Sequence, residues 1–212
     1  MNIAKYIDHT LLKTTATPSD IEAHCMSAIK HGFYSVCVNP NYVSLVKKLL
    51  SGTDVLTVSV AGFPLGESTT DIRVKEAVQA VKDGAQEVDT VMAVSRLKAG
   101  DYDYVYRDVK SIVDACGVPV KVILETCHLT REEIVKSCEI IAETGARFVK
   151  TSTGFFGTGA TVENVKLMHE AVKGKCEVKA AGGIRDYEFA KQLIDAGATR
   201  IGTSAGEKIV NH

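Results

Sequence analysis

Three lysines and one aspartate stand inside segments that otherwise have the composition of buried β-strands. The segments read VPVKVILET, RFVKTS, EVKAAGG and QEVDTVMA, and the charged residues within them are Lys121, Lys150, Lys179 and Asp89. Moving an ammonium or a carboxylate out of water is costly unless the charge is paired. These residues must therefore either neutralise one another or carry out chemistry that needs a buried charge.

Side-chain alternation predicts the direction in which these charges point. Successive side chains of a strand face opposite sides, so Val120, Val122 and Leu124 share one face and Lys121 lies on the other. In a closed barrel the uniformly apolar face meets the surrounding helices, which leaves the charged face for the interior. The same alternation turns inward the other three charges, Asp89, Lys150 and Lys179.

Two interpretations of these charges are open from the residues alone. In the first, a structural ion-pair network forms, with Asp89 and either Glu87 or Glu125 neutralising the lysines. In the second, the excess of lysines serves an amine nucleophile, because an uncompensated buried ion costs several kcal/mol, roughly. A lysine with a usual pKa of about 10.4 holds little free amine at neutral pH, and burial next to a second ammonium favours the free form. A Schiff-base lysine beside another lysine fits this pattern.

Two glycine-rich segments predict an anion site. KAAGGIRD follows the seventh predicted strand and RIGTSAG belongs to the eighth, and both can present backbone N–H groups to an anion. In barrels of alternating strands and helices, the loops after strands seven and eight frequently bind phosphate. Taken alone, each glycine pair is typical of a tight turn.

Eight short β-rich runs alternate with amphipathic helix patterns along the chain. The predicted strands are 5–9, 34–38, 55–62, 86–93, 118–126, 147–152, 177–183 and 199–204. The predicted helices are 18–31, 40–50, 68–83, 101–116, 130–144, 161–173 and 186–196, with a last helix after the eighth strand. Helix starts are indicated by Thr17-Pro18 and by Thr130 with Glu133 three residues later. Glycines just past the helices indicate their ends.

Strands separated by single helices pair in parallel through right-handed crossovers, and eight of them predict a (β/α)8 TIM barrel of the α/β class. We expect one domain over 1–212, because the length suits a single barrel and no linker or change of composition appears. A doubly wound sheet is the alternative. It usually has a glycine-rich turn after the first strand, and DHTLLKTT contains no glycine.

The composition favours a soluble enzyme of small molecules over the other protein classes. The net charge is −1 with 25 basic and 26 acidic residues, so no basic face for nucleic acid is indicated. No segment resembles a signal peptide or a membrane span, and we expect a cytoplasmic protein. The cysteines are scattered without a C-x-x-C motif and are interpreted as reduced core thiols: Cys25, Cys37, Cys116, Cys127, Cys138 and Cys176.

The segments together carry a resemblance to a known family. IDHTLLK, SVCVNP, AGFPLG, EVDTV, KVILET, FVKTSTGF, KAAGGIRD and RIGTS, in this order and spacing, are similar to deoxyribose-phosphate aldolases of the short bacterial type. The resemblance extends from Ile7 to Ser204, and FVKTSTGF together with KAAGGIR is its specific part.

The resemblance implies a (β/α)8 barrel that cleaves 2-deoxy-D-ribose 5-phosphate reversibly to D-glyceraldehyde 3-phosphate and acetaldehyde, in deoxyribonucleoside catabolism. It implies that Lys150 is the Schiff-base nucleophile, Lys179 the neighbour that lowers its pKa, and Asp89 a proton-relay carboxylate. It further implies a set of substrate-binding residues, of which the glycines and the serine would hold phosphate: Lys121, Thr153, Gly182, Gly183, Gly202 and Ser204. No metal or organic cofactor is implied, and a homodimer is a further expectation.

Two departures from the family pattern bear on the site. Related sequences commonly place an amide-containing stretch after EVD, where this sequence has Ala93. Some relatives also carry a tyrosine-bearing C-terminal tail, which EKIVNH lacks, so we do not expect proton transfer assisted by such a tail.

Other candidate groups are weighed against simpler interpretations. Cys37, or Cys127 with the following His128, could supply a thiol nucleophile, but core thiols are the preferred interpretation. The histidines show no spacing typical of metal ligands: His9, His24, His31, His128, His169 and His212.

Asp8 and Thr10 could contact substrate hydroxyls, and a capping role for Asp8 is equally open. Arg185 could approach phosphate but is interpreted as an exposed helix-start residue. The rival functions are another Schiff-base barrel with a different donor, and a non-catalytic barrel that binds a phosphorylated ligand.

Overall fold

The computed structural model of the protein describes residues 1–211, which form a closed barrel of eight parallel strands surrounded by helices. Each strand pairs with the next in the chain, and β8 pairs with β1 to close the sheet. The predicted (β/α)8 fold class is confirmed. His212, one of the six histidines considered for metal spacing, lies outside the described residues.

All eight predicted strands are present. The strands are β1 (Ile7–Leu11), β2 (Ser35–Val38), β3 (Leu56–Ala61), β4 (Glu87–Val91), β5 (Val120–Ile123), β6 (Phe148–Lys150), β7 (Glu177–Ala181) and β8 (Ala198–Thr203). The helices are α1 (Pro18–His31), α2 (Val43–Leu49), α3 (Thr70–Lys82), α4 (Val94–Lys98), α5 (Tyr102–Cys116), α6 (Arg131–Ala142), α7 (Val162–Ala171), α8 (Tyr187–Asp195) and α9 (Gly206–Val210). Short 3-10 helices cover Ile3–Tyr6, Pro40–Tyr42 and Thr126–His128.

Helix boundaries follow the capping residues that the sequence contains. Thr17 accepts a hydrogen bond from the backbone of Asp20 while the Asp20 carboxylate accepts one from the backbone of Thr17, which completes a capping box at the start of α1. Thr130 and Glu133 do the same for α6. Gly32 ends α1 in a left-handed conformation with φ 65, which glycine adopts without strain.

The predicted elements differ from the structure most clearly at two strand boundaries and at one short helix. The first strand begins at Ile7 rather than at residue 5, because the preceding residues form a 3-10 helix. The fifth strand ends at Ile123 rather than near 126, because the chain turns at Glu125, whose φ is 57. The short helix α4 was not predicted, and its five residues are too few to show a helical period.

The apolar core lies mainly between the sheet and the helices. The residues that face the helices alternate with those that face the barrel interior, and Val120, Val122 and Leu124 belong to this outer core. A second, smaller apolar cluster joins inward residues of β2 and β3 to the loop after β1: Leu12, Cys37, Val58 and Val60, with Phe63 packed against them. One side of the barrel interior is therefore apolar.

Strand register brings the charged residues of neighbouring strands together. Lys150 on β6 is paired with Lys179 on β7, and Lys179 in turn is paired with Arg200 on β8. Lys121 on β5 is paired with Asp89 on β4. The carboxyl ends of parallel strands all open on the same face of the barrel, so the loops that follow them surround these residues.

No helix within residues 1–211 has both the length and the apolar character required to cross a membrane.

Candidate active site

Asp89 lies at the centre of a buried network of charged side chains. Its Oδ2 accepts hydrogen bonds from the Nζ atoms of Lys150 and Lys179, each at 2.7 Å. Its Oδ1 accepts one from Lys121 Nζ at 2.8 Å. All four residues are buried, with Lys150 the most accessible at 3 % exposure. The inward direction that alternation predicts for these four side chains is thus present in the structure.

Asp8, Glu87 and Arg200 extend the network across the barrel interior. Asp8 Oδ2 lies 2.5 Å from Lys179 Nζ, and Asp8 Oδ1 accepts hydrogen bonds from Arg200 at 2.9 Å and from the Ser35 hydroxyl at 2.6 Å. Glu87 Oε2 accepts from Arg200 at 2.8 Å and lies 2.7 Å from Lys121 Nζ. Every carboxylate of the network therefore contacts at least two cationic groups.

The network contains one more cation than it contains carboxylates. The four cationic side chains are Lys121, Lys150, Lys179 and Arg200, and the three carboxylates are Asp8, Glu87 and Asp89. With every group ionised, the net charge would be +1. Burying an unbalanced charge is unfavourable, so the network favours the loss of one proton from a lysine.

Lys150 is the lysine whose surroundings favour the neutral amine. Burial lowers the pKa of Lys150 below its usual value, and Lys179 lowers it further, while Asp89 acts in the opposite direction. Among residues 1–211, Lys150 makes its ion pair with Asp89 alone, on an oxygen that also contacts Lys179. Its positive charge is therefore the least compensated of the three lysines.

Lys179, Lys121 and Asp89 are held in their charged forms. Burial would lower the pKa of Lys179, but the carboxylates of Asp8 and Asp89 raise it above its usual value. Burial would likewise lower the pKa of Lys121, but Asp89 and other carboxylates raise it. Burial alone would raise the pKa of Asp89, whereas the ammonium groups around it hold that pKa well below its usual range. Lys150 thus differs from the other two lysines in the direction of its shift.

A cavity of about 500 Å³ opens above Lys150 at the carboxyl end of the barrel. Its walls come from the loops after β1, β6, β7 and β8. The lining includes Leu12, Lys13, Lys150, Thr153, Phe155 and Arg185, together with the glycine loops. The amine of Lys150 is therefore the one group of the charged network that a molecule in this cavity reaches.

The predicted phosphate-binding residues line the same cavity. Gly182 and Gly183 have φ values of 89 and 76, which open the loop after β7 in a conformation that other residues rarely adopt. Gly202 on β8 leaves room for Lys179, because a Cβ atom there would lie 3.0 Å from Lys179 Cε. Ser204 follows β8 at the rim.

The structure places Lys121 and Asp8 differently from the sequence expectations, and Thr10 and Arg185 in agreement with them. Lys121 does not line the cavity and is fully buried between Glu87 and Asp89. On β5 it is Ile123 that pairs with Lys150, and Lys121 lies two residues closer to the amino end of that strand. Asp8 does not cap a helix, because its carboxylate belongs to the charged network. Thr10 and Arg185 both line the cavity, and Arg185 is exposed there.

The thiols are free, and their surroundings do not favour a thiolate. All six cysteines are unpaired. Cys37 lies in the small apolar cluster of the barrel interior, and burial raises the pKa of its thiol to about 11. Burial also raises the pKa of Cys127, which lies 3.8 Å from Glu125 Oε1. Within residues 1–211, no set of three histidine, cysteine or acidic side chains is arranged to hold a metal ion.

Arg200 is the member of the network that sequence reasoning missed. Arg200 lies two residues before Gly202 on β8, so the two residues share a face of the strand. The same alternation that predicts inward lysines on β5 to β7 therefore also predicts an inward Arg200. Its guanidinium stacks on the ring of Tyr34, 3.5 Å from the ring centre, while it contacts two carboxylates.

Comparisons with known proteins identify the family and the relatives that the chain resembles. The family described as DeoC/LacD family aldolase matches residues 2–212. A deoxyribose-phosphate aldolase of Thermoanaerobacter sp. (strain X514) is 57% identical over 214 residues, which cover 99% of this chain and 96% of that protein. Two solved structures cover 99% of the chain. One is described as QR15, an aldolase, with a TM-score of 0.95 and 46% identity over 94% of that chain. The other is a deoxyribose phosphate aldolase from Aeropyrum pernix, described as having a unique tetrameric structure, with a TM-score of 0.91 and 33% identity over 89% of that chain.

The replacement Arg200→Met measures how much the buried ion pairs of Arg200 stabilise the fold. It leaves Asp8 and Glu87 buried with one cationic partner fewer each, and we expect the free energy of unfolding to fall by about 3 kcal/mol. Arg147→Met is the matched control, because Arg147 pairs with Glu177 on the surface, where such a pair contributes about 1 kcal/mol or less. Urea unfolding monitored by circular dichroism measures both. Equal losses of unfolding free energy in the two variants would contradict a larger contribution from the buried ion pairs.

Proposed function

Because this chain belongs to the DeoC/LacD family of aldolases, we propose that Lys150 is the Schiff-base nucleophile with which it cleaves 2-deoxy-D-ribose 5-phosphate. The products are D-glyceraldehyde 3-phosphate and acetaldehyde, and the reaction is reversible. The observation that carries the assignment is the position of Lys150, whose amine joins the charged network on one side and the cavity on the other.

The chemistry follows from the amine. The Nζ atom of Lys150 adds to the C1 aldehyde of the open-chain sugar, and loss of water leaves a protonated imine. The bond between C2 and C3 then breaks and its electron pair moves into the imine, which gives an enamine. The C3 hydroxyl loses its proton and becomes the aldehyde of D-glyceraldehyde 3-phosphate. Protonation of the enamine at C2 and hydrolysis release acetaldehyde and restore the amine. We expect no metal or organic cofactor to take part.

Lys179 and Asp89 support this sequence in two ways. The permanent charge of Lys179 lowers the pKa of Lys150 and keeps part of the amine neutral before the substrate arrives. Asp89 Oδ2 contacts both amines, so this carboxylate can take up a proton released at Lys150 and return it during the reaction. We assign Asp89 as the relay carboxylate on this basis. Lys121, buried beneath it, balances charge.

The glycine loops after β7 and β8 suit the phosphate at the far end of the substrate. Within residues 1–211, the backbone N–H groups of Gly183 and Ser204 donate no hydrogen bond to another backbone group, and both residues line the cavity. Backbone N–H groups in such loops bind phosphate oxygens. Lys13 and Arg185 add two exposed positive charges to the same cavity. The phosphate and the imine would thus be held at separate parts of one site.

We expect a cytoplasmic enzyme of deoxyribonucleoside catabolism that acts as a homodimer and binds sugar phosphates and aldehydes, with no nucleic acid or membrane partner. The solved relative from Aeropyrum pernix is described as a tetramer.

Reductive trapping tests the nucleophile. Incubation with acetaldehyde and borohydride should attach an ethyl group to Lys150, because reduction of the imine makes the bond permanent. Peptide mass spectrometry locates the adduct. In Lys150→Arg the adduct and the cleavage activity should both disappear, whereas Lys166→Arg on the exposed surface of α7 should retain both. Trapping by dihydroxyacetone phosphate in place of acetaldehyde would instead assign the chain to a barrel with a different donor.

The pH profile tests the role of Lys179. In Lys179→Met, Lys150 loses a neighbouring positive charge, so its pKa rises and less neutral amine is present at neutral pH. In the plot of kcat/KM against pH, the midpoint of the acid limb should move to higher pH by about one unit. At pH values below that midpoint, kcat/KM should therefore fall about tenfold. Lys179→Arg keeps the charge and should leave the limb in place even if kcat falls. An unmoved limb in Lys179→Met would contradict the proposed role.

The phosphate site is tested by Lys13→Gln. Removing this exposed charge should raise KM for 2-deoxy-D-ribose 5-phosphate by about threefold, which corresponds to a solvent-exposed ion pair. The KM for unphosphorylated 2-deoxy-D-ribose should not change. Lys48→Gln, an exposed lysine on α2, is the control for general charge effects. Equal changes for both sugars would place the phosphate elsewhere.

A further inference from the structure

Glu125 is a buried glutamate whose carboxylate is bound by neutral groups. It follows β5 and is 2 % exposed. Its carboxylate accepts hydrogen bonds from both the backbone N–H and the hydroxyl of Thr153, the N–H lying 3.2 Å from Oε2. The thiol of Cys127 lies 3.8 Å from Oε1. Burial of a carboxylate among neutral donors is less favourable than burial beside a cation.

The backbone of Glu125 is also in an uncommon conformation. Its φ of 57 lies in the left-handed region, which non-glycine residues rarely adopt. This conformation ends β5 and directs the side chain toward the loop after β6 instead of toward the lysines. Residues held in such conformations persist where the surroundings fix them, and they are concentrated near functional sites.

Glu125 determines which hydrogen bonds Thr153 can still make. A threonine hydroxyl has one hydrogen to donate and two lone pairs that accept. In this structure the hydrogen is given to Glu125, and one lone pair accepts from the Phe155 backbone N–H at 3.1 Å. Thr153 lines the cavity beside Lys150. The hydroxyl therefore has one lone pair left to accept a further hydrogen bond, but no hydrogen left to donate.

The same contacts fix the rim of the cavity. The bond from the Phe155 N–H to Thr153 holds the residue that follows Gly154, and the Phe155 ring meets the Phe63 ring edge to face, with 5.2 Å between centres. Phe63 comes from the loop after β3, on the other side of the barrel mouth. One carboxylate thus fixes the direction of a hydroxyl and the placement of an aromatic residue at the rim.

We infer that Glu125 is a positioning residue that orients the Thr153 hydroxyl as a hydrogen-bond acceptor for a hydroxyl group of the sugar substrate. The open-chain sugar carries two hydroxyls between the imine carbon and the phosphate, and each can donate to Thr153. Acetaldehyde carries none. This inference rests on the proposed function, and the two substrates separate it from that function.

The variant Glu125→Gln preserves the size of the side chain but replaces one acceptor oxygen with an NH2 group. This group cannot accept hydrogen bonds from the Thr153 N–H and hydroxyl. We expect kcat/KM for 2-deoxy-D-ribose 5-phosphate to fall about tenfold, mainly through a higher KM, as for loss of one buried hydrogen bond. The rate at which acetaldehyde and borohydride modify Lys150 should equal that of the unaltered protein. Glu139→Gln, an exposed glutamate on α6, should change neither quantity.

The double variant Glu125→Gln/Thr153→Val tests whether Glu125 acts through Thr153. Thr153→Val alone should show the same selective loss, and the double variant should lose no more than the larger single effect, since both changes remove one contact. If Glu125→Gln does not fold, Glu125→Asp, which keeps the charge but draws the carboxylate away from the Thr153 hydroxyl, tests the inference with the same two substrates.

Three results would overturn the inference. They are an unchanged KM in Glu125→Gln, equal loss of acetaldehyde trapping and of sugar cleavage in either single variant, or fully additive losses in the double variant. Absence of any acetaldehyde adduct in the unaltered protein would overturn the proposed function of Lys150 instead.

Discussion

The chemistry of this barrel depends on an imbalance of charge in its interior. Four cationic side chains share three carboxylates, and the closed sheet separates them from water. The imbalance falls on Lys150, because Lys179 contacts two carboxylates at hydrogen-bond distance while Lys150 contacts one shared oxygen. The carboxylates thus do more than neutralise the lysines. They distribute the positive charge so that the amine facing the cavity holds its proton least firmly.

The two halves of the barrel interior contribute in different ways. The inward residues of β2 and β3 form the small apolar cluster around Val58 and Val60, whereas β4 to β8, with β1, supply the charges. An apolar wall beside the network keeps water away and strengthens each electrostatic interaction within it. The outer core between sheet and helices provides the apolar burial that offsets the cost of holding seven ionisable groups in the interior.

Alternation along the strands was sufficient to predict the central part of the site. It turned inward Asp89, Lys150 and Lys179, and the structure places all three within one set of hydrogen bonds. It could not predict depth along the barrel axis, because depth depends on the register between strands, and Lys121 consequently lies beneath the cavity instead of in its wall. The contact between Glu87 and Arg200 joins β4 to β8 across the interior, and no local pattern in the sequence reports such a pairing. The left-handed turn at Glu125 also has no sequence signal, since glycine is the residue expected there.

Depth along the barrel separates the residues that meet substrate from those that act through others. Glu87 contacts Arg200 and Lys121, and these two cations contact Asp8 and Asp89 in turn. None of Glu87, Arg200 and Lys121 lines the cavity. Their influence on the amine must pass through the carboxylates, which the lysines share. Glu125 is a different case, because it contacts the loop after β6 and leaves the charge balance of the lysines unaltered. The barrel therefore regulates proton affinity from its interior and substrate orientation from its loops, and these two properties can be changed independently.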